Sequence, residues 1–280
     1  MKKPERMTEM TDNTEKDIFE HDEFYLLRQI PQVLRARGFR LYLNNGKDSK
    51  GSRRLIDLWL NGGAAVMGHT PANLLREIKN SASRGLYAPY PHFTENRLIK
   101  ALSKLFPGRA FRLCAAPPKE PFSAKLWRPF VDPDAPFKVE NEPLLIPVIP
   151  GIQTWRNGLP LGFCVIAAES EDQLTHLPPN DPLSPILLAA AARGIYDLLA
   201  SPHRAKPRLP RIIKTLKNSR WQLQGIYITL KEKPSPQEWE TLFNKFLEAG
   251  FLLPPTPSYP LILPGEMSDG EEAKLAAALV

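Results

Sequence analysis

The sequence predicts an α/β or α+β fold, and three observations lead to that expectation. Short apolar segments with the alternation of strands are interleaved with longer segments of helical spacing. Prolines and glycines separate these segments, as they do at turns. With 280 residues, 42% of them apolar, the chain is long enough to bury a substantial core.

The N-terminal third predicts an arm followed by a β-hairpin. Residues 1–20 are polar and carry no periodic pattern, so we expect them to be mobile. Residues 38–43 and 54–60 each alternate large apolar with polar side chains, and the polar segment NNGKDSKG lies between them. Two alternating segments joined by such a turn predict a hairpin.

Helical spacing and capping residues predict most of the remaining elements. Thr70 precedes Pro71 and is the predicted N-cap of the first long helix, and Ser268 with Glu271 forms a predicted capping box. Two strands are expected, FCVIAA and residues 221–230. The predicted helices cover about residues 71–85, 94–106, 185–200, 209–218 and 236–249, and a last one begins at 268.

The middle of the chain, residues 115–150, is dense in proline. Proline lacks a backbone donor, so we expect neither long helices nor central strands there. Asp132 and Asp134 alternate with prolines and predict an exposed turn. The segment from Trp127 to Phe130, WRPF, is interpreted as a cover over the sheet, with a pocket lining as the alternative.

The net charge of +7 arises largely from one basic segment, residues 203–220, which contains no acidic residue. Apolar residues at helical spacing predict that this segment includes an amphipathic helix with a solvated basic face. Binding of an anion or a nucleic acid is the alternative, although we expect no nucleic-acid partner. The candidate anion-binding residues are Arg204, Arg208, Arg211 and Lys214.

Several classes of protein are not indicated by the sequence. The most apolar segment is interrupted by Arg193 and Asp197, so no membrane helix is expected. Cys114 and Cys164 have no CxxC spacing, so neither a disulfide framework nor a metal site is expected. No apolar leader follows the first lysines, and a cytoplasmic location is expected. The histidines show no HExxH spacing, and no GxSxG motif is present.

Four segments, taken in order, resemble the class III aminotransferases. The first is LIDLWLNGGAAVMGHTP at residues 55–71, with a strand, a glycine-rich break and a proline-capped helix. The second is GLPLG followed by FCVIAAE, residues 158–169, and the third is SPILLAAAARGIYDLLA, residues 184–200. The fourth is the C-terminal GFLLPPTPSYPLILPGEMSDGEEAKL. The resemblance covers most of residues 38–280, with a gap in the middle.

The resemblance implies a fold of the pyridoxal 5'-phosphate (PLP)-dependent transferases and candidate cofactor contacts. The glycine-rich turn, which in the family lies near the active site at the dimer interface, corresponds to Gly62 and Gly63 here. A structural role for these glycines, as residues with positive φ, is the main alternative. Asn180 occupies the position of the family's phosphate-binding threonine. Counting back from GLPLG places Gln153 where the family has its Schiff-base lysine.

A carboxamide cannot form an imine, and no lysine lies between Lys138 and Lys206. The roughly 30 residues between 113 and 143 are also too few for the family's large PLP-binding domain. We therefore expect a shortened relative with no catalytic residue and no cofactor, unless the family activity is retained, in which case PLP is the cofactor. The expected organisation is an arm (1–20), an N-terminal small-domain part (21–113), a proline-rich remnant of the large domain (114–170) and a C-terminal small-domain part (171–280).

The resulting functional hypothesis is a degenerate aminotransferase-like protein that acts by binding or regulation as a homodimer, with another protein as a further candidate partner. The alternative is an active PLP enzyme that uses Lys125, Lys138 or a partner subunit. A second alternative is anion or nucleic-acid binding through the basic segment.

Overall fold

The computed structural model describes residues 25–44, 53–85, 87–115, 124–139, 143–147, 163–217 and 219–280. Mixed helices and sheets make up the fold, as the sequence predicts. The helices are α1 (Tyr25–Arg28), α2 (Ala72–Ser83), α3 (Thr94–Leu105), α4 (Pro185–Leu199), α5 (Pro210–Leu216), α6 (Pro236–Ala249) and α7 (Asp269–Ala278). The strands are β1 (Val33–Arg37), β2 (Arg40–Leu43), β3 (Arg54–Asp57), β4 (Ala110–Cys114), β5 (Lys125–Leu126), β6 (Leu144–Pro147), β7 (Cys164–Ala168), β8 (Trp221–Gln224), β9 (Tyr227–Leu230), β10 (Phe251–Leu252) and β11 (Leu261–Ile262).

The first sheet joins the two ends of the described chain. Its strand order is β1-β2-β3-β10, and the antiparallel pairing of β2 with β3 confirms the predicted hairpin. The exposed strand β1 adds an edge that the sequence pattern did not reveal. Strand β10, far along the chain, pairs with β3 in parallel. The C-terminal part of the chain therefore supplies the edge strand beside β3.

Three long helices pack together. Helix α4 contacts both α2 and α3, and its consecutive alanines, Ala189 to Ala192, are all buried and allow close approach. The predicted cap of α2 is wrong, because Pro71 occupies the cap position and no side chain accepts a hydrogen bond there. The capping box of α7 is confirmed, since Ser268 accepts from the Glu271 N–H and Glu271 accepts from the Ser268 N–H.

The second sheet is built around the proline-rich segment, in the order β4-β7-β6-β5. Strand β6 lies between β7 and β5, so the expectation that no central strand occurs there is wrong. Proline is tolerated because Pro143 precedes the strand and Pro147 is its last residue. Strand β4 pairs along its length with β7. The domain boundary expected after residue 113 assigns most of this strand to the N-terminal part.

The third sheet, β11-β9-β8, corrects another prediction. Residues 221–230 form a hairpin of β8 and β9, not one strand, and the chain reverses at Gly225. Gly225 has a φ of 60°, and a Cβ there would lie 1.9 Å from the Phe130 carbonyl oxygen. Trp127 and Phe130 are buried in the core, and the role of WRPF as a cover over the sheet stays a prediction. The helices of the described ranges include none long and apolar enough to cross a membrane.

A buried ion pair ties helix α7 to the N-terminal hairpin. The Arg40 guanidinium donates to both carboxylate oxygens of Glu271, at 3.0 and 2.7 Å. Arg54 adds a contact of 3.0 Å from the neighbouring strand. The hydrogen bonds from Arg40 are the largest cause that lowers the pKa of Glu271 to about 2, against an ordinary 4.5. The charged carboxylate is therefore favoured by folding.

This ion pair predicts a specific acid sensitivity. Because the folded-state pKa is depressed, the stabilisation by Glu271 is fully present above pH 4.5 and is lost as the pH falls toward about 2. The loss from this group amounts to about 3 kcal/mol. Arg40→Met should lower the free energy of unfolding at neutral pH and give a shallower decline over this interval, measured by urea unfolding across pH. Equal acid slopes for both proteins would contradict this assignment.

Candidate functional site

The glycine-rich segment after β3 forms a tight turn with four consecutive positive φ angles. They are 49° at Leu60, 53° at Asn61, 66° at Gly62 and 101° at Gly63. This conformation is strained for leucine, and such strain persists only where the surroundings impose it. Gly62 and Gly63 meet the need for positive φ, which supports their structural role. A contact of these glycines with a cofactor stays a prediction.

The buried carboxylate of Asp57 imposes the turn. Its side chain is almost fully enclosed, and its Oδ1 accepts the backbone N–H groups of Trp59 at 2.8 Å and Leu60 at 2.9 Å. Its Oδ2 accepts from His69 Nε2 at 2.9 Å. Since a carboxylate only accepts hydrogen bonds, this contact places the proton on Nε2. The pair resembles the carboxylate–imidazole arrangement that orients a general base, and it also fastens the start of α2.

The turn is attached to the neighbouring sheets by backbone hydrogen bonds. Leu58 donates to the Leu252 carbonyl of β10 at 2.9 Å and accepts from Ile262 of β11 at 2.6 Å. His69 donates its backbone N–H to the Gly38 carbonyl at 2.7 Å. The turn is therefore the point at which the first and third sheets meet.

Arg204 is placed differently from its prediction. It lies in a short 3-10 turn before α5 and is only 6% exposed, so it is not part of a solvated basic face. Its guanidinium donates to the carbonyls of Val66, at 3.3 Å, and Leu263, and lies over the Phe39 ring. Burial lowers the pKa of Arg204 to about 10, so the group stays charged at neutral pH.

Arg128 is a second arginine that is partly buried. The Arg128 guanidinium lies 6.0 Å from the centre of the Tyr227 ring, and burial lowers its pKa. The Tyr227 hydroxyl donates to the Pro129 carbonyl at 2.8 Å, and burial raises its pKa. No carboxylate of the described ranges is within ion-pair distance of Arg128 or Arg204. The pattern WRPF gave no indication of this arginine–tyrosine contact.

The Asn180 side chain connects strand β4 to helix α3. Its Oδ1 accepts the Leu113 N–H of β4 at 3.0 Å, and its Nδ2 donates to Glu95 of α3 at 2.7 Å. These two hydrogen bonds give the Asn180 amide a structural role. A phosphate contact of Asn180 stays a prediction.

The other three predicted anion-binding residues do not all line the same site. Arg211 and Lys214 line an open cavity of about 690 Å³ together with Thr215, Ser219, Arg220 and Val280. Arg208 is exposed but does not line it. Arg220 belongs to the basic segment that the sequence predicts as the alternative anion-binding surface, although it is not one of the four named candidates.

Lysine placement bears on the imine chemistry that the resemblance implies. Gln153 and GLPLG lie outside the described residues, in the connection between β6 and β7. Lys125 and Lys138, the alternatives considered from the sequence, are both exposed. Within the described ranges every lysine is exposed to solvent: Lys79, Lys100, Lys104, Lys125, Lys138, Lys206, Lys214, Lys217, Lys231, Lys233, Lys245 and Lys274. The same ranges contain no cluster of side chains suited to a metal ion.

Comparison with known proteins relates this fold to the aminotransferases. The structure of ornithine δ-aminotransferase from Plasmodium falciparum aligns with a TM-score of 0.62, 13% identity and 96% of each chain covered. An ω-transaminase from Sphaerobacter thermophilus aligns with a TM-score of 0.62, 10% identity and coverage of 94% of this chain and 95% of its own. Acetylornithine aminotransferase from Elizabethkingia anophelis gives 0.59, 12% identity, and 96% and 97% coverage.

Sequence relatives are fewer. An uncharacterized protein of Treponema pallidum is 27% identical over 301 aligned residues, which cover 85% of this chain and 91% of the relative. An uncharacterized protein of Borreliella burgdorferi is 38% identical over 81 residues, 29% of this chain and 28% of the relative. No family model matches the sequence. The structural likeness therefore establishes an aminotransferase-like α/β fold.

The Asp57 carboxylate gives a direct test of the turn. Asp57→Ala removes both accepting oxygens, which leaves the backbone N–H groups of Trp59 and Leu60 without their partner. We expect the free energy of unfolding to fall by about 3 kcal/mol, measured by urea unfolding. Asp134→Ala, at an exposed ion pair with Lys206, is the matched control and should change stability by less than about 1 kcal/mol. Similar losses in both variants would contradict the assigned role.

Proposed function

We propose that this aminotransferase-like protein forms no Schiff base with PLP and acts by binding, as a catalytically degenerate homodimer. The exposure of every described lysine carries the proposal. An internal Schiff base requires an uncharged amine, which proteins obtain by burying a lysine and lowering its pKa. A solvated ammonium remains protonated near neutral pH and is a poor nucleophile. The sequence around Gln153 supplies no lysine that could replace it.

The remaining groups that a PLP site requires do not fit either. A pyridine nitrogen is commonly paired with a buried carboxylate. Asp132 instead accepts the backbone N–H groups of Asp134 and Ala135 in a surface turn, as the sequence predicts. Asp134 is exposed and pairs with Lys206. We derive no catalytic step through PLP from these residues.

Loss of most of the large domain is a second part of this proposal. Only residues 115–124 link β4 to β5. A strand, a helix and a return strand need about 20 residues or more, so no further α/β unit fits into this link. The missing units would be the ones expected to wall a coenzyme pocket.

Reaction with PLP tests the proposal. The protein is incubated with PLP, reduced with borohydride and mapped by peptide mass spectrometry beside an authentic PLP aminotransferase. We expect no stoichiometric product, because exposed lysines react weakly and without preference. Labelling should therefore rise with PLP concentration without saturation and spread over several peptides.

One result would decide against the absence of a Schiff base: saturable attachment of one PLP per chain to a single lysine, with a visible aldimine band. If that lysine is Lys125 or Lys138, its substitution with alanine should abolish the attachment. This result would favour the alternative of an enzyme that uses another lysine, and amino-group transfer by the loaded protein would establish it.

An aromatic surface supports the dimer in this proposal. Tyr87, Tyr90 and Phe93 lie in the connection between α2 and α3, and each is more than half exposed. Large exposed aromatic residues in one segment are typical of protein interfaces. We propose that a second copy of the chain covers them. A single monomeric species in sedimentation velocity at micromolar concentration would remove this part of the proposal.

Anion binding is a second candidate function, favoured by the cavity beside α5. Arg211, Lys214 and Arg220 supply three cations, and Thr215 and Ser219 add hydroxyl groups. The Arg211 backbone N–H donates to Glu272 at 2.7 Å and its Nη1 donates to the Asp269 carbonyl at 3.2 Å, which connects α5 to α7. Arg211, Lys214 and Arg220 are nevertheless all exposed. Such a surface suits a multiply charged phosphate group.

Titration with inorganic tripolyphosphate tests this candidate. We expect binding that weakens steeply with salt, and a roughly fivefold loss of affinity in each of Arg211→Ala and Lys214→Ala. Lys245→Ala, an exposed lysine on α6, is the control and should leave the affinity unchanged. Salt-insensitive binding, no binding, or equal losses in all three variants would remove the candidate. A single-stranded oligonucleotide that binds more tightly than tripolyphosphate would favour the nucleic-acid alternative.

A further inference from the structure

The two cysteines of the chain face each other across two strands. Cys114 is the last residue of β4 and Cys164 the first of β7, and they are direct partners in the antiparallel register. The chain contains no other cysteine. This pairing could not be predicted from the sequence, because 49 residues separate the two positions and no motif connects them.

The hydrogen-bond pattern shows whether Cys114 and Cys164 form a hydrogen-bonded or a non-hydrogen-bonded pair of the two strands. Leu113 uses its N–H and C=O groups on the side away from β7, with Asn180 and Asp181 as partners. Bonding alternates along antiparallel strands, so the next residue, Cys114, belongs to a hydrogen-bonded pair. The Cα atoms of such pairs are about 5.5 Å apart. This separation lies inside the range of about 4.4–6.8 Å that a disulfide spans. The Cβ atoms of opposed residues are about 4.5–5.5 Å apart, so a small movement of the strand ends must bring them to the roughly 3.5–4.5 Å of a disulfide.

The two thiols differ in their surroundings. Cys164 is 2% exposed and its Sγ lies 3.5 Å from the Cys114 carbonyl oxygen, whereas Cys114 is 7% exposed at the end of its strand. A hydrogen bond from Cys164, with the charge of Arg112 as a smaller cause, lowers the pKa of Cys114. The same contact and burial raise the pKa of Cys164. Of the two thiols, Cys114 therefore has the greater exposure and the lower pKa, the two properties that favour reaction with an oxidant.

We propose that Cys114 and Cys164 are a redox modification site that closes to an intramolecular disulfide, with hydrogen peroxide as the oxidant. The Cys114 thiolate attacks peroxide, the O–O bond breaks, and a sulfenic acid and hydroxide form. The Cys164 sulfur then attacks the Cys114 sulfur, the S–S bond forms and the S–O bond breaks with release of water. In total, two thiols and one peroxide give one disulfide and two water molecules.

Closure of this bond joins the two ends of the segment that includes β5 and β6. A cross-link over a loop of this length restricts the unfolded chain more than the folded one. The oxidised protein should therefore melt roughly 5–15 °C higher than the reduced protein. This inference is independent of the proposed function, because it involves no coenzyme.

The experiment uses the full reduced chain, exposed to hydrogen peroxide and then denatured and alkylated. We expect the intact mass to fall by two hydrogens, both alkylation sites to disappear, and a thiol reductant to restore both. Cys114→Ser and Cys164→Ser are the matched controls, and dimedone should trap a sulfenic acid on Cys114 in the Cys164→Ser variant. The higher melting temperature should be absent from both variants.

Three outcomes would overturn the inference. Both thiols could remain open to alkylation after peroxide treatment, or non-reducing electrophoresis could show covalent dimers in place of the internal bond. Oxidation of each cysteine to sulfinic acid at equal rates in the wild type would show that the two sulfur atoms do not meet. If a serine variant fails to fold, the mass and alkylation measurements on the wild-type chain still decide the question.

Discussion

Imine formation requires a lysine amine that has lost its proton, whereas hydration stabilises the protonated form. An ammonium group is strongly hydrated, so a lysine loses its proton near neutral pH only where protein walls replace water. The described chain places its lysines at the surface and encloses other charged groups, each with polar partners. Asp57, Arg204 and Glu271 are examples, held by backbone groups or by opposite charges. An enclosed charge serves structure here.

These enclosed groups also connect the two ends of the described chain. Asp57 holds the turn after β3, and that turn bonds to β10 and β11 from the other end of the chain. Arg40 and Arg54 of the hairpin contact Glu271 of the last helix. The parallel pairing of β3 with β10 adds a third connection. Contacts between residues far apart in sequence therefore hold the N-terminal hairpin to the C-terminal part.

Local patterns predicted the local structure well. Helical spacing and the Ser268–Glu271 capping box found α7, and the alternating segments around NNGKDSKG found the hairpin. The missed features depend on partners distant in sequence. Proline density argued against β6 as a central strand, yet the prolines lie at its margins and the strand pairs on both sides. Gly225 was the only local sign that residues 221–230 reverse direction.

The candidate site shows the same division. Glycines at positions 62 and 63 indicated a turn with positive φ, but only the fold reveals that Asp57 and His69 enclose it. Arg204 appeared in a run of basic residues, and charge alone suggested a solvated face, whereas its guanidinium lies between the carbonyls of Val66 and Leu263. Cys114 and Cys164 lie opposite each other because of the register of β4 and β7, and the spacing of the two cysteines in the sequence does not reveal that register.

A crystal structure determined with excess PLP would show whether a coenzyme site exists near Gln153. We expect the Gln153 amide to pack against protein atoms, with no coenzyme density beside it or on any lysine. PLP held in an open polar cavity next to Gln153, or joined to a lysine of either subunit, would show that the protein retains a coenzyme site.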